Sequence, residues 1–133
     1  IGLDVYVNGS FLNAYEGDGI IISTPTGSTG YNLSAGGPIV DPMARLMIIT
    51  PVCPHSLTSK SIVLPSDAKV SIEIAKKRKT QDTEAIVSFD GGNDFELAAG
   101  DVLDICVSQR TTQLVKASDV NFYEILRNKL GGK

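Results

Sequence analysis

The apolar residues of this chain come in short runs, and that restricts the fold more than any other feature. The longest, such as Gly19-Ile-Ile-Ile22 and Leu46-Met-Ile-Ile49, are strand-sized. A bilayer-spanning helix needs about 20 apolar residues, so none of these runs can cross a membrane that way. Around them, apolar and polar residues alternate. Leu3, Val5 and Val7 alternate with Asp4, Tyr6 and Asn8, and Val70, Ile72 and Ile74 with Ser71, Glu73 and Ala75. A period of two sends successive side chains to opposite faces of a strand. Asn8-Gly9-Ser10 reads as a hairpin turn into residues 11–15. Residues 20–23 form an apolar strand suited to a central place in a sheet. Residues 45–50 and 61–64 are further strands, punctuated by prolines at 51, 54 and 65. Residues 85–89, 94–97, 102–108 and 113–117 follow at short intervals. The pattern predicts a mainly β chain, an antiparallel multi-stranded β-sandwich.

Two places break the period. Near the end, Phe122, Ile125, Leu126 and Leu130 have helical spacing, predicting a C-terminal helix capped by Ser118 or Asp119 and stopped at Gly131-Gly132. The other break is residues 24–38, where Gly, Ser and Thr dominate. A stretch of that kind inside a compact β chain needs a reason.

The chain has 133 residues, 42% hydrophobic and 20% charged, which suits one soluble globular domain rather than disorder. The opening alternation has no basic-then-apolar leader pattern. Cys53 and Cys106 are therefore expected as reduced thiols in a cytoplasmic protein. A net charge of −3 argues against a nucleic-acid partner. The basic cluster Lys76-Lys-Arg-Lys79 reads as a solvated hairpin loop. No membrane partner is expected, and no Cys, His and Asp set has zinc spacing.

In the Gly/Ser/Thr stretch, the apolar strand feeds a turn that starts Thr24-Pro-Thr-Gly-Ser-Thr-Gly-Tyr31. Gly27 and Gly30 permit close backbone approach. Ser28 or Thr29 is a plausible N-cap for a short helix near Thr29 to Ser34, whose first amides could face an anion. Tyr31 offers a flat face and a hydroxyl for stacking on a base. A polar surface loop capped by Thr and Ser fits the same residues. No Lys follows a glycine as in a Walker loop, and the three glycines of a dinucleotide fingerprint are missing. His55, between Pro54 and Ser56, reads as an imidazole that fixes a turn through a backbone hydrogen bond. Asp90-Gly-Gly-Asn-Asp94 reads as a hairpin turn.

Taken together, Asp18-Gly19, Thr24-Pro-Thr-Gly-Ser-Thr-Gly-Tyr31 and Leu33-Ser-Ala-Gly-Gly-Pro-Ile-Val40 resemble the long signature of the NAD kinases. Thr50-Pro-Val-Cys-Pro-His-Ser-Leu57 is similar to a second family signature, and Val87-Ser-Phe-Asp90 with Gly91 to a third. They come in the family's order and cover nearly the whole chain.

The resemblance implies a domain of an enzyme that phosphorylates the 2′-hydroxyl of the adenosine ribose of NAD, using ATP or polyphosphate, with magnesium or another divalent metal. It implies the C-terminal NAD-binding β domain across residues 1–133, without the N-terminal α/β domain whose Gly-Gly-Asp-Gly motif holds the general base. No catalytic residue is then expected here, and the chain alone should be inactive. The matching substrate positions are Asp18, Thr29, Gly30, Tyr31, Asn32, Leu33, Ser34, Cys53 and Gly92. Cys53 also reads as a small buried residue in a strand-end turn. Relatives usually have Ala at residue 30, often Gln at residue 92, and commonly Ser-x-Arg-Pro where this chain has Thr58-Ser-Lys60-Ser61. Partners would be NAD, ATP, the N-terminal domain and further copies of the chain, as dimer or tetramer. A lipid kinase of the diacylglycerol or sphingosine type and a noncatalytic β-sandwich module are the rival readings.

Overall fold

The computed structural model describes residues 1–76, 85–114 and 119–131. Alternation becomes strands where it was expected. β1 (Gly2–Val7) and β2 (Ser10–Glu16) form the predicted hairpin, with Asn8 at φ 50° and Gly9 at φ 83°. Both residue types tolerate that left-handed turn backbone. β3 (Gly19–Ser23) leads through a 3-10 turn (Thr26–Thr29) into the short helix α1 (Tyr31–Ser34). Then come β4 (Leu46–Val52), β5 (Ile62–Pro65), β6 (Val70–Ile74), β7 (Ala85–Phe89), β8 (Gly92–Leu97), β9 (Val102–Ile105) and helix α2 (Phe122–Lys129).

All the strand pairs are antiparallel. One sheet has the order β2-β1-β6-β9, a second β3-β4-β5, and β7 pairs with β8. Leu3, Val5, Tyr15, Met47, Ile49, Val70, Ile72, Ile74 and Ala85 join in one core. That set draws on all three sheets, which makes the sandwich. In β6 the buried residues are Val70, Ile72 and Ile74, one face of a period-two strand.

β4 is buried on both faces. Met47 and Ile49 enter the core, while Ile48 and Thr50 on the other face are closed to solvent as well. The segment after β3 meets that face at Thr50, through Asn32. A run apolar at successive positions is what such double cover requires.

Several expectations need correction. Residues 20–23 are an edge strand; β4 takes the central place in the order β3-β4-β5. β3 is apolar on both sides because Ile20 and Ile22 meet the core while α1 packs on the strand. Pro51 does not punctuate β4 but lies within it. It pairs with Ile20 of β3, whereas the β5 pairing stops at Ile49, so its missing amide costs no ladder bond on that side. The strand expected over residues 102–108 ends at Ile105, and residues 113 and 114 are irregular. Residues 115–117 and most of the basic cluster at 76–79 lie outside the described residues. The C-terminal helix forms, but Asn121 caps it, accepting a hydrogen bond from the Glu124 amide at 2.9 Å. Asp119 does not, and Ser118 falls outside the described residues.

Candidate functional site

The segment after β3 is built from inward hydrogen bonds. Ser28, wholly buried, does not cap a helix: its Oγ accepts from the Val40 amide at 2.9 Å, pinning the far end of the loop. Thr29 caps nothing either. Pro25 precedes the 3-10 turn and Gly30 precedes α1, neither with a side-chain cap bond. The expected helix cap is thus replaced by a bond to Val40, at the far end of the same loop.

Asn32 is the main one. Its Nδ2 donates to the carbonyls of Ser28 at 3.0 Å and Pro38 at 3.1 Å. Its Oδ1 accepts the Thr50 hydroxyl of β4 at 2.6 Å. The backbone closes around it, with the Gly37 amide donating to the Asn32 carbonyl at 2.8 Å. The side chain is 1% exposed and has no amide hydrogen left for a ligand.

Its neighbours face the other way. Tyr31 is 69% exposed and Leu33 40%, with Gly30 and Ser34 exposed and Thr29 half-buried. A turn of about 100° per residue separates the inward Asn32 from both flanking side chains. A buried polar anchor therefore presents an aromatic ring and two hydroxyls to solvent.

Asp18 and Cys53 meet at a second corner. The Asp18 amide donates to the Val52 carbonyl at 3.0 Å, directly before Cys53. Gly17 crosses so closely here that a Cβ would stand 2.7 Å from the Cys53 carbonyl oxygen. Cys53 adopts φ 44°, a left-handed backbone that costs an L-residue about 1 to 2 kcal/mol. It lies at a strand end as expected, yet exposed rather than buried. Thr50, which holds Asn32, and Val52, which holds Asp18, are two residues apart, about 7 Å along the same strand. β4 is thus the common support of both parts.

His55, read from the sequence as a turn-fixing imidazole, belongs to this corner together with Glu16 of β2. The His55 backbone amide, not its imidazole, makes the turn bond, to the Glu16 carbonyl at 2.8 Å. The imidazole stays exposed, with Nδ1 3.8 Å from a Glu16 carboxylate oxygen. No carboxylate lies in the motif around His55; it arrives from β2, which no local spacing could reveal. Gly92 is not brought into either group by hydrogen bonding. It opens β8 in the two-stranded sheet, exposed beside the left-handed Asp90 and Gly91 of the predicted hairpin turn.

A cavity of about 1140 Å3 lies between the sheets, lined by Asp18, Thr24, Asp104 and Arg110 among its polar residues and by the apolar Ile20, Ile22 and Met47. These apolar residues line the β3–β4 face opposite Thr50. Thr29 to Ser34 do not line it. Among the described residues no three His, Cys, Asp or Glu side chains gather as a metal site.

Comparison with known proteins gives the family of the chain. A curated NAD kinase of Lachnoclostridium phytofermentans is 50% identical over 133 residues, covering 100% of this chain and 47% of the relative. The NAD kinase of Agathobacter rectalis is 52% identical over 131 residues, covering 98% of the chain and 46% of the relative. The chain thus spans about half the length of the curated relatives it matches. The crystal structure of yeast NADH kinase complexed with NADH superposes with a TM-score of 0.82 at 29% identity, over 98% of this chain and 39% of that one. An Archaeoglobus fulgidus NAD kinase in complex with ATP gives 0.71 at 31% identity, over 82% and 40%. The profile of the ATP-NAD kinase C-terminal domain matches residues 1–117. With that match over most of its length, and a Thr-Pro-Thr-Gly-Ser-Thr-Gly-Tyr segment braced on its central strand, this chain belongs to the ATP-NAD kinase C-terminal domain family.

Proposed function

We propose that this chain is the acceptor-binding part of an NAD kinase, which transfers the terminal phosphoryl group of ATP to the 2′-hydroxyl of the adenosine ribose of NAD. The carrying observation is Tyr31, an aromatic side chain 69% exposed on a loop anchored by buried bonds. Its ring stacks on the adenine, an interaction worth about 1–3 kcal/mol per base. Thr29 and Ser34 bond polar edges of the adenosine, Gly30 lets the base approach the backbone, and Leu33 adds an apolar edge. Asn32 serves from behind the wall. Asp18 accepts from ribose hydroxyls, with Cys53 beside it and Gly92 as a further lining position.

Phosphoryl transfer depends mainly on positioning and on stabilising charge around the moving group. This chain's share is to fix the ribose so that its 2′-hydroxyl points at the donor phosphate. The general base and the donor site belong to an N-terminal domain with a Gly-Gly-Asp-Gly motif, and residues 1–133 alone are inactive. The greater length of the curated relatives supports that division. The NADH and ATP complexes of the yeast and archaeal proteins support the pair of ligands. ATP, or polyphosphate in its place, would bring its divalent cation on its own phosphates. Exposed Ile86, Phe89 and Phe95 on the β7–β8 hairpin support assembly as a dimer or tetramer. Free Cys53 and Cys106 support a reducing cytoplasmic setting.

The test is an assay of full-length protein with ATP and NAD, quantifying NADP. A folded protein that yields no NADP above background sinks the proposal.

A further inference from the structure

The buried hydrogen bonds behind Tyr31 have a direction that proton counting resolves. Both Asn32 amide hydrogens are committed, to the carbonyls of Ser28 and Pro38. Its Oδ1 can only accept, so the Thr50 hydroxyl, 2.6 Å away, must spend its one proton there. Thr50 then has none to give Ser61, whose Oγ lies 3.0 Å from Thr50 Oγ1. Ser61 is therefore the donor. The relay runs from Ser61 to Thr50 to Asn32 and on to the loop carbonyls, from the segment before β5, across β4, into the wall.

We infer that Thr50 and Asn32 are positioning residues for NAD, setting the orientation of Tyr31 without touching the ligand; this rests on the kinase reading above. α1 has four residues and no side-chain cap bond at its start. So short a helix does not hold its own shape in water, because nucleation costs more than one turn returns. Its orientation comes from Asn32, the residue between Tyr31 and Leu33, and Asn32 is fixed by Thr50. Loss of the Thr50 proton leaves Asn32 Oδ1 buried without a donor. The loop must then relax, and bound NAD must re-form it.

The experiment compares Thr50→Val, which keeps the shape and removes the hydroxyl, with Thr50→Ser, which keeps the hydroxyl, in the full-length protein. Two quantities are read: KM for NAD against kcat, and hydrogen exchange at the Gly37 and Val40 amides, which close the loop. Thr50→Val should raise KM about tenfold with kcat within about twofold, the pattern of lost uniform binding, and speed both exchange rates. Thr50→Ser should restore both readouts. Unchanged KM, unchanged exchange, a loss confined to kcat, or failure of Thr50→Ser to restore overturns the inference. If Thr50→Val does not fold, Ser61→Ala decides, since it removes only the half-buried donor: the same shifts, smaller, support the relay, and unmoved readouts overturn it. A wild-type protein that forms no NADP defeats the kinase reading, and the exchange comparison still judges the relay.

Discussion

Gly37 lies so close to Asn32 that a Cβ at Gly37 would stand 2.3 Å from Asn32 Oδ1. The glycine is needed for that contact rather than for an unusual φ. Gly37→Ala must displace an amide that already holds three hydrogen bonds. Overpacking plus loss of those bonds should lower stability by about 3 kcal/mol, read as a shift in the urea midpoint. An unshifted midpoint would mean that the loop yields freely.

Tyr31 carries the opposite expectation, because most of its surface is in solvent. Tyr31→Ala should change unfolding free energy by no more than about 0.5 kcal/mol. NAD affinity should fall about tenfold to a hundredfold, as expected for losing one stacked base. Tyr31→Phe should keep most of that affinity. Calorimetric titration with NAD checks both, and equal binding by wild type and Tyr31→Ala would remove Tyr31 from the site.

What could be read from the sequence was what local order encodes. The period of two in β1 and β6, the Asn8-Gly9 turn and the helical spacing of Phe122, Ile125 and Leu126 all lie within a few residues of their cause. The wall's exposed residues were legible through the signature around Thr24 to Tyr31. Asn32 could not be sorted from its neighbours, since its burial depends on Thr50, 18 residues away. Ser28 was misread as a cap for the same reason: its partner, Val40, lies 12 residues on. The edge position of β3 and the Glu16 carboxylate beside His55 are likewise products of sheet pairing.

Among the described residues, helix α2 is tied back by a long-range bond from the Tyr123 hydroxyl to the Asp41 carboxylate, across 82 residues of sequence. The Asp41 carboxyl is held below its ordinary value of 3.8, first by the Tyr123 bond and then by the Met43 amide. The Tyr123 phenol is pushed above its ordinary 10.0 by that same bond, by the Asp41 charge and by slight desolvation. A lowered acid stabilises the tie above pH 3.8 and loses it as pH falls through the folded value. A raised phenol stabilises it below pH 10.0 and loses it as pH rises through the folded value. In Asp41→Asn, the Tyr123 titration followed by carbon NMR should move down towards 10.0. An unmoved titration would exclude the tie in solution.

The core gives a plainer expectation. Ile49 is fully buried among residues of three sheets. Ile49→Val should cost about 1 kcal/mol and Ile49→Ala about 3 kcal/mol, by loss of buried surface and opening of a void. Thermal melts of the two variants check the order and the spacing; equal melting temperatures would show that β4 is not the packed centre.

Pro51 does more than interrupt a ladder. Among the described residues, the β4–β5 ladder stops at Ile49, yet Pro51 beyond it is buried, where an unbonded backbone amide would be cut off from water. A pyrrolidine ring at residue 51 has no amide hydrogen to leave unpaired. The same residue halts the zippering of β5, so the chain before Ile62 stays free to bring Ser61 against Thr50. One imino acid thus lets the strand end beside the wall be sealed from water without stranding a polar group.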